Sequence, residues 1–154
     1  MKKEKGVTLT SLVIVIVILL ILAAITINAG IGLIEKAELQ TVVTDMLLIK
    51  AKTKIAGEEA TYLNDDSKLA GITDDGVINN LKGKGAITEE QDTSKCRVFR
   101  SAELNSLGLT DIKVNSKIYY VVDYATEEVY YVPGIKIEGI VQYKLSEIQE
   151  LNME

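Results

Sequence analysis

The chain begins with a short basic segment that is followed by a long apolar run. No charged residue occurs from Gly6 to Ile34, and the interior from Leu12 to Ile25 contains only Leu, Ile, Val and Ala. A helix needs about 20 such residues to cross a hydrocarbon core of ~30 Å. The pattern therefore predicts a helix that spans a bilayer, with its basic flank in the cytoplasm and the remainder of the chain exported.

After the apolar run the pattern becomes amphipathic. Between Leu33 and Leu63, apolar residues recur at spacings of three, four or seven, which is typical of one buried stripe on a helix. The predicted stripe consists of Leu39, Val42, Met46, Ile49, Ala56, Ala60 and Leu63. If no break occurs near residues 28–32, one helix extends from residue 8 to residue 63. The turn-forming residues Asn64–Ser67 then end it.

The C-terminal third carries the strongest β pattern. Lys117–Tyr124 and Val129–Val132 are rich in β-branched and aromatic residues and are separated by a short polar connection. This pattern predicts an antiparallel hairpin that Pro133-Gly134 ends. A third strand is predicted within residues 135–143, and a short terminal helix within residues 145–151.

Two shorter helices are predicted in the middle third from their capping residues. Thr73–Gly76 caps a segment that runs to Lys82, and Ser101 with Glu103 begins a helix that ends at Gly108. The predicted fold class is thus α+β: a long N-terminal spine helix, transmembrane in its first half, packed against a small antiparallel β-sheet.

Three interpretations of the N-terminal segment compete. A secretory signal cut after Ala29 would have an apolar region much longer than the usual 7–15 residues, at roughly twice that length. An uncut single-pass membrane anchor requires only a helix that is long enough to span the bilayer. In the third interpretation residues 1–6 are a leader that is removed, residues 7–32 are the membrane or fibre-core half of the first helix, and residues 33–154 form the exported α+β domain.

The third interpretation rests on a resemblance. Lys5-Gly6 followed by the uncharged start of a long apolar helix resembles the class III leader of prepilins, in the type IV pilin and type II secretion pseudopilin family. The resemblance implies a pilin-like fold and cleavage by a prepilin peptidase after Gly6, with methylation of the new N-terminus at Val7. It also implies other pilin or pseudopilin subunits, a membrane assembly platform and membrane lipid as partners.

The same resemblance assigns roles to individual residues. The leader lysines set the topology, and apolar residues with one serine form the assembly helix. These residues are Lys2, Lys3 and Lys5 in the leader, and Leu9, Ser11, Leu12, Ile16, Leu20 and Ile27 in the helix.

Two departures from the family pattern favour a minor subunit. The fifth mature residue is usually Glu in this family, whereas here it is Ser11, which cannot neutralise an ammonium group. The typical proline of the membrane helix is also missing, since Pro133 is the only proline. The alternative function is that of an uncleaved single-pass protein whose exported domain binds a ligand or a partner.

Composition excludes several kinds of chemistry. The absence of histidine removes Ser-His-Asp and Cys-His catalysis and the usual zinc sites, so no enzyme is predicted. Cys96 is the only cysteine, which rules out an intrachain disulfide and favours a packing role.

The net charge of −5 does not favour nucleic acid as a partner. The basic stretch of Lys95, Arg97 and Arg100 is the one candidate patch for nucleic acid or a partner, although a solvated face is its ordinary role.

Paired aspartates provide the only candidate cation ligands. Asp65-Asp66 and Asp74-Asp75 could supply oxygen atoms to calcium, but their spacing does not match the Asp-x-Asp-x-Asp-Gly loop. Adjacent aspartates more often cap helices and form turns. No cofactor is therefore predicted, with calcium as the alternative at these pairs.

Overall fold

The computed structural model describes residues 5–152, and it describes side chains for residues 8–22 and 36–151. The chain divides into two compact units, Met1–Gln40 and Thr41–Glu154. The first helix, α1, spans Lys5–Leu63 and contributes to both units. It ends as its sequence predicts, because Asn64 turns to a φ of 51° and the Asp65 amide donates to the carbonyl of Ala60.

The predicted transmembrane first half of the spine helix is wrong. Within residues 5–152, no helix combines the length and the apolar character that a membrane span requires.

In the second unit, one side of α1 is buried. Met46, Ile49 and Ala60 are buried as the stripe predicts, but Leu63 at its end is 49% exposed. Thr53 lies on the same side and is also buried, because its hydroxyl donates to the Ile49 carbonyl at 2.8 Å and so needs no water.

Four strands form one antiparallel sheet in the order β1-β2-β3-β4. They are Cys96–Phe99, Tyr119–Asp123, Glu128–Ile137 and Ile140–Lys144. The hairpin of β2 and β3 confirms the strongest β prediction. The prediction that Pro133-Gly134 ends the second strand is wrong, since β3 continues to Ile137 past an irregularity in its pairing with β4.

The remaining helices are short and lie close to their predicted positions. They are α2 (Asp75–Gly83), α3 (Ser101–Ser106) and α4 (Leu145–Asn152). Asp74 caps α2 by accepting from the Val77 amide, and Glu103 accepts from the Arg100 amide at the start of α3. A single 3₁₀ turn, Asp66–Lys68, follows α1.

The sheet of the second unit is packed on both faces. Side chains alternate along β2, so Val121 faces one side while Tyr120 and Val122 face the other. Val121 belongs to a buried cluster that includes Leu81 of α2 and Tyr130 of β3. On the opposite face, the Tyr120 hydroxyl hydrogen-bonds to Asp45 of α1. The core therefore lies between α1, the sheet and α2.

Candidate functional site

An exposed apolar segment distinguishes the first unit. Every described side chain from residue 8 to residue 22 is exposed, although this part of α1 is almost wholly apolar. Among the predicted assembly residues, Leu9 is 68% exposed, Leu12 60%, Ile16 47% and Leu20 65%. Because a helix that is apolar on all sides is ordinarily surrounded by apolar groups, this segment is a candidate interaction surface.

The other predicted N-terminal residues fall at the limit of the description. Lys2 and Lys3, with the rest of the leader before Lys5, lie outside the described residues. Lys5, Gly6 and Val7 lie within the bounds of α1, as does Ile27, but their side chains are outside the description. Ser11 is exposed beside the apolar residues of the segment.

A groove of about 400 Å³ lies in the described part of the second unit. It lies between the last turns of α1, the 3₁₀ turn and the tip of the β2–β3 hairpin. Its apolar lining consists of Gly57, Ala60, Leu69, Val122 and the ring of Tyr124. Its volume falls within the range of small-molecule and side-chain pockets, roughly 300–1,000 Å³.

The polar groups of the groove floor are already satisfied. The Tyr124 hydroxyl donates to the Ala70 carbonyl at 2.8 Å, and the Thr61 hydroxyl donates to the Gly57 carbonyl at 2.8 Å. Burial raises the pKa of Tyr124 to about 12, so this hydroxyl stays neutral at ordinary pH. The floor therefore offers apolar contact and carries no activated nucleophile or base.

Gly57 allows the hairpin tip to approach α1. A Cβ atom at this position would lie 3.0 Å from Cδ1 of the Tyr124 ring, closer than side chains ordinarily pack. The groove is thus shaped by the missing side chain at Gly57 and by the anchored ring of Tyr124.

Charges of both signs surround the groove. Lys50, Lys54 and Lys95 stand near Glu58, Asp66 and Glu127. The Lys95 ammonium lies 3.8 Å from the Asp66 carboxylate, a solvent-exposed pair that adds little stability. This balance suits a neutral or zwitterionic occupant better than a polyanion.

A buried carboxylate holds the hairpin tip in place. Asp123 is 0% exposed, and its two oxygens accept from Gln91 Nε2 at 2.7 Å and from the Ala125 amide at 2.9 Å. Gln91 also approaches the Tyr130 hydroxyl at 3.4 Å. Neighbouring Cys96 is buried, and burial raises the pKa of its thiol to about 12. Both groups therefore serve packing and turn geometry, as the sequence predicts for Cys96.

A second carboxylate connects α1 to the sheet. Partial burial raises the pKa of Asp45, an effect that the hydrogen bond from the Tyr120 hydroxyl partly opposes. Burial and the nearby Asp45 charge in turn raise the pKa of Tyr120. The pair fixes α1 on the sheet and lies away from the groove lining.

The three residues of the predicted basic patch have separate partners. Lys95 pairs with Asp66, whereas the Arg97 guanidinium donates to the carbonyls of Ser94 and Cys96. The Arg100 guanidinium lies 4.3 Å from the centre of the Tyr119 ring. Arg97 lies within β1, whereas Arg100 is the residue that precedes α3. Binding of nucleic acid here stays a prediction.

The aspartates proposed for calcium take capping positions. Asp65 accepts from the Ser67 amide at 3.0 Å and from its hydroxyl at 2.6 Å, and these bonds lower the pKa of Asp65. Asp74 caps α2. In the part of the chain that the structure describes, no group of three or more His, Cys, Asp or Glu side chains could hold a metal ion.

Sequence reasoning did not find the groove or the network around Asp123. Gly57 in the middle of a helix, where glycine is unfavourable, was the available signal for a close approach. The contacts of Asp123 depend on Gln91, which is distant in sequence and carries no local pattern.

Comparison with protein-family models, with curated proteins and with solved structures finds no match for this chain. Two features therefore bear on its function: the exposed apolar segment of residues 8–22 and the α+β unit that follows it. The apolar segment needs apolar surroundings, and the α+β unit is a small domain with a core of its own.

Proposed function

We propose that the protein is a structural subunit, of the minor kind, of a type IV pilus or a type II secretion pseudopilus. It is cleaved after Gly6 by a prepilin peptidase, and it is assembled through its hydrophobic N-terminal helix with other pilin or pseudopilin subunits. The α+β unit then lies at the fibre surface, outside the cell. No catalytic role belongs to this proposal.

The exposed apolar segment carries the proposal. Leu9, Leu12 and Leu20 are each at least 60% exposed, and exposed apolar area costs roughly 25 cal/mol per Å² relative to burial. Packing such helices side by side removes this area from water. A fibre core of helices supplies these surroundings without any contribution from the second unit.

Removal of the leader is a physical requirement of this assembly. Lys2, Lys3 and Lys5 precede the apolar segment, and burying unpaired charges among apolar side chains costs several kcal/mol, on the order of 2.5–3.5 each on membrane-insertion scales. A cut after Gly6 removes all three charges and leaves the apolar helix complete.

The N-terminal sequence of the protein purified from its native cells tests this proposal. The expected result is a start at Val7 with a methylated terminal amine, and Gly6→Val should leave the leader attached. Gly83→Ala is the matched control, because a Cβ atom there meets nothing within 4 Å and cleavage should be unchanged. A start at Met1, or one near Gly30 that removes the apolar helix, would contradict the proposal.

A further inference from the structure

The second half of α1 carries an exposed apolar stripe on its outer side. Leu48, Ile55 and Tyr62 follow one another at intervals of seven residues and are 45%, 65% and 89% exposed. Since an α-helix turns by about 100° per residue, seven residues return to nearly the same side. Ile55 lies about 200° around the helix from buried Thr53. The stripe therefore points away from the side of α1 that is buried in the second unit, and Tyr62 at its end also borders the groove.

The charges beside the stripe are segregated along the helix. Lys52 and Lys54 precede Ile55, and Glu58 and Glu59 follow it. All four side chains are exposed, and neither of the two ion pairs found in the described residues includes any of them. A face with positive charge on one side of its centre and negative charge on the other is complementary to a reversed copy of itself.

We propose that this outer face, defined by Leu48, Ile55 and Tyr62, pairs with the same face of a second copy in antiparallel orientation. The two-fold axis passes beside Ile55, so that Leu48 of one copy meets Tyr62 of the other. Lys52 then stands opposite Glu59 of the second copy, and Lys54 lies near its Glu58. These contacts bury the apolar stripe and pair the flanking charges at the same time.

A parallel pair in the same register would not satisfy the charges. It would place the lysines of one copy level with the lysines of the other and the glutamates level with the glutamates, and like charges in such positions repel. Small Ala51, which is exposed one turn before Ile55, permits the two helices to approach closely. The charge order thus selects the antiparallel pair.

The pair goes beyond the proposed fibre function. A two-fold contact uses the same patch on both copies and closes on itself, whereas a fibre needs contacts between different patches. The antiparallel pair is therefore a state of the unassembled subunit that covers the outer face of α1. Its existence does not depend on cleavage after Gly6.

Disulfide trapping tests the orientation. The full chain is held in solution with a mild nonionic detergent, because residues 8–22 are exposed, and single cysteines are introduced as Ile55→Cys, Leu48→Cys and Tyr62→Cys. Native Cys96 is only 3% exposed, so the unmodified chain is the background. Asn79→Cys, at an exposed position of α2, is the control for random collision.

We expect Ile55→Cys to form a disulfide with itself, and Leu48→Cys mixed with Tyr62→Cys to form a mixed dimer. Leu48→Cys alone should stay monomeric, because its two copies lie too far apart for the Cα separation of about 4.4–6.8 Å that a disulfide requires. Self-dimers of Leu48→Cys and Tyr62→Cys would indicate a parallel pair and overturn the proposal. Yields no higher than that of Asn79→Cys would also overturn it.

Charge reversal tests the flanking contacts in the Ile55→Cys background. Lys52→Glu with Lys54→Glu should lower the disulfide yield about tenfold, since like charges then face each other. Adding Glu58→Lys and Glu59→Lys should restore it. Protection of Cys96 from a thiol reagent checks folding in each variant, and no restoration by the second reversal would overturn the assigned charge contacts. The N-terminal sequence of these variants should not change, which separates this test from that of the proposed function.

Discussion

Asp123 shows how a single buried group can determine the shape of a surface. Its carboxylate holds the Gln91 side chain and the Ala125 amide, and these contacts fix the hairpin tip that bears Tyr124. Removing the carboxylate leaves two partly buried donors without the acceptor that they share. Such donors are expensive because they lose water and gain nothing in return.

Asp123→Ala should therefore destabilise the protein by about 2–4 kcal/mol. The measurement is urea unfolding followed by circular dichroism. Asp92→Ala is the control, since exposed Asp92 accepts from the amide and the hydroxyl of Ser94 and its loss should cost less than about 1 kcal/mol. Equal effects of the two substitutions would contradict the role given to Asp123.

Asp45 should make stability depend on pH in the opposite sense to an ordinary ion-paired carboxylate. Burial raises the pKa of Asp45 above its usual value of 3.8, so the folded state binds the proton more tightly than the unfolded state. Asp45 makes its full contribution to the free energy of unfolding at pH values below its usual pKa. That contribution is lost as the pH rises through the raised pKa of the folded state.

Asp45→Asn removes the charge and retains an oxygen that can accept from the Tyr120 hydroxyl. We expect the variant to melt at a higher temperature than the parent at pH 7, with the difference vanishing at about pH 2.5, where Asp45 is protonated in both states. Thermal unfolding at the two pH values measures this. Glu90→Gln, at an exposed position, is the control, and an Asp45→Asn variant less stable at pH 7 would be contrary to the expectation.

Turns decide where the strands end, and one turn was missed from the sequence. The segment 135–143 was predicted as a strand, but Glu138 and Gly139 have φ values of 51° and 86° and divide it into the end of β3 and β4. Two consecutive positive φ values are typical of a type I′ hairpin turn. Asn-Gly is the usual signal for this turn, and Glu-Gly is a weaker one.

Glu138→Asn should stabilise this turn, because Asn tolerates a positive φ better than Glu does. The expected gain is roughly 0.5 kcal/mol in the free energy of unfolding. Gly139→Ala is the opposing variant, with an expected loss of about 1 kcal/mol from strain at its positive φ. Urea unfolding measures both, and a loss of stability in Glu138→Asn would show that the turn geometry is misassigned.

The predictability of each element follows from how local its determinants are. The ends of α1 and α2 and the β2–β3 hairpin were predicted because capping residues and β-rich runs act over a few positions. Strand β1 was missed because four residues, Cys96–Phe99, give too short an alternation and are held by pairing with β2. The burial of Thr53 was likewise invisible, since a hydrogen bond within the helix makes a polar residue act as an apolar one.

The two units differ in what stabilises them. The second unit buries side chains such as Met46, Tyr120 and Tyr130 within one chain. The described side chains of residues 8–22 are all exposed, so their apolar surface is not buried as the core of the second unit is. The apolar character of this segment is read directly from the sequence, but a single sequence does not specify what surrounds it.

Ile16→Lys should separate the two units functionally. A lysine in the middle of the apolar segment would place an unpaired charge among packed helices, at a cost of several kcal/mol, on the order of 3. We expect fibre assembly to be lost, as measured by electron microscopy of sheared cell-surface material.

The second unit should keep its stability, because Ile16 lies outside it and is 47% exposed. Cys96 should therefore stay protected from a thiol reagent. Ile16→Leu is the matched control and should assemble normally. Fibres that still form in the Ile16→Lys variant would mean that the apolar segment is not their core, and loss of Cys96 protection would mean that the segment supports the fold of the second unit.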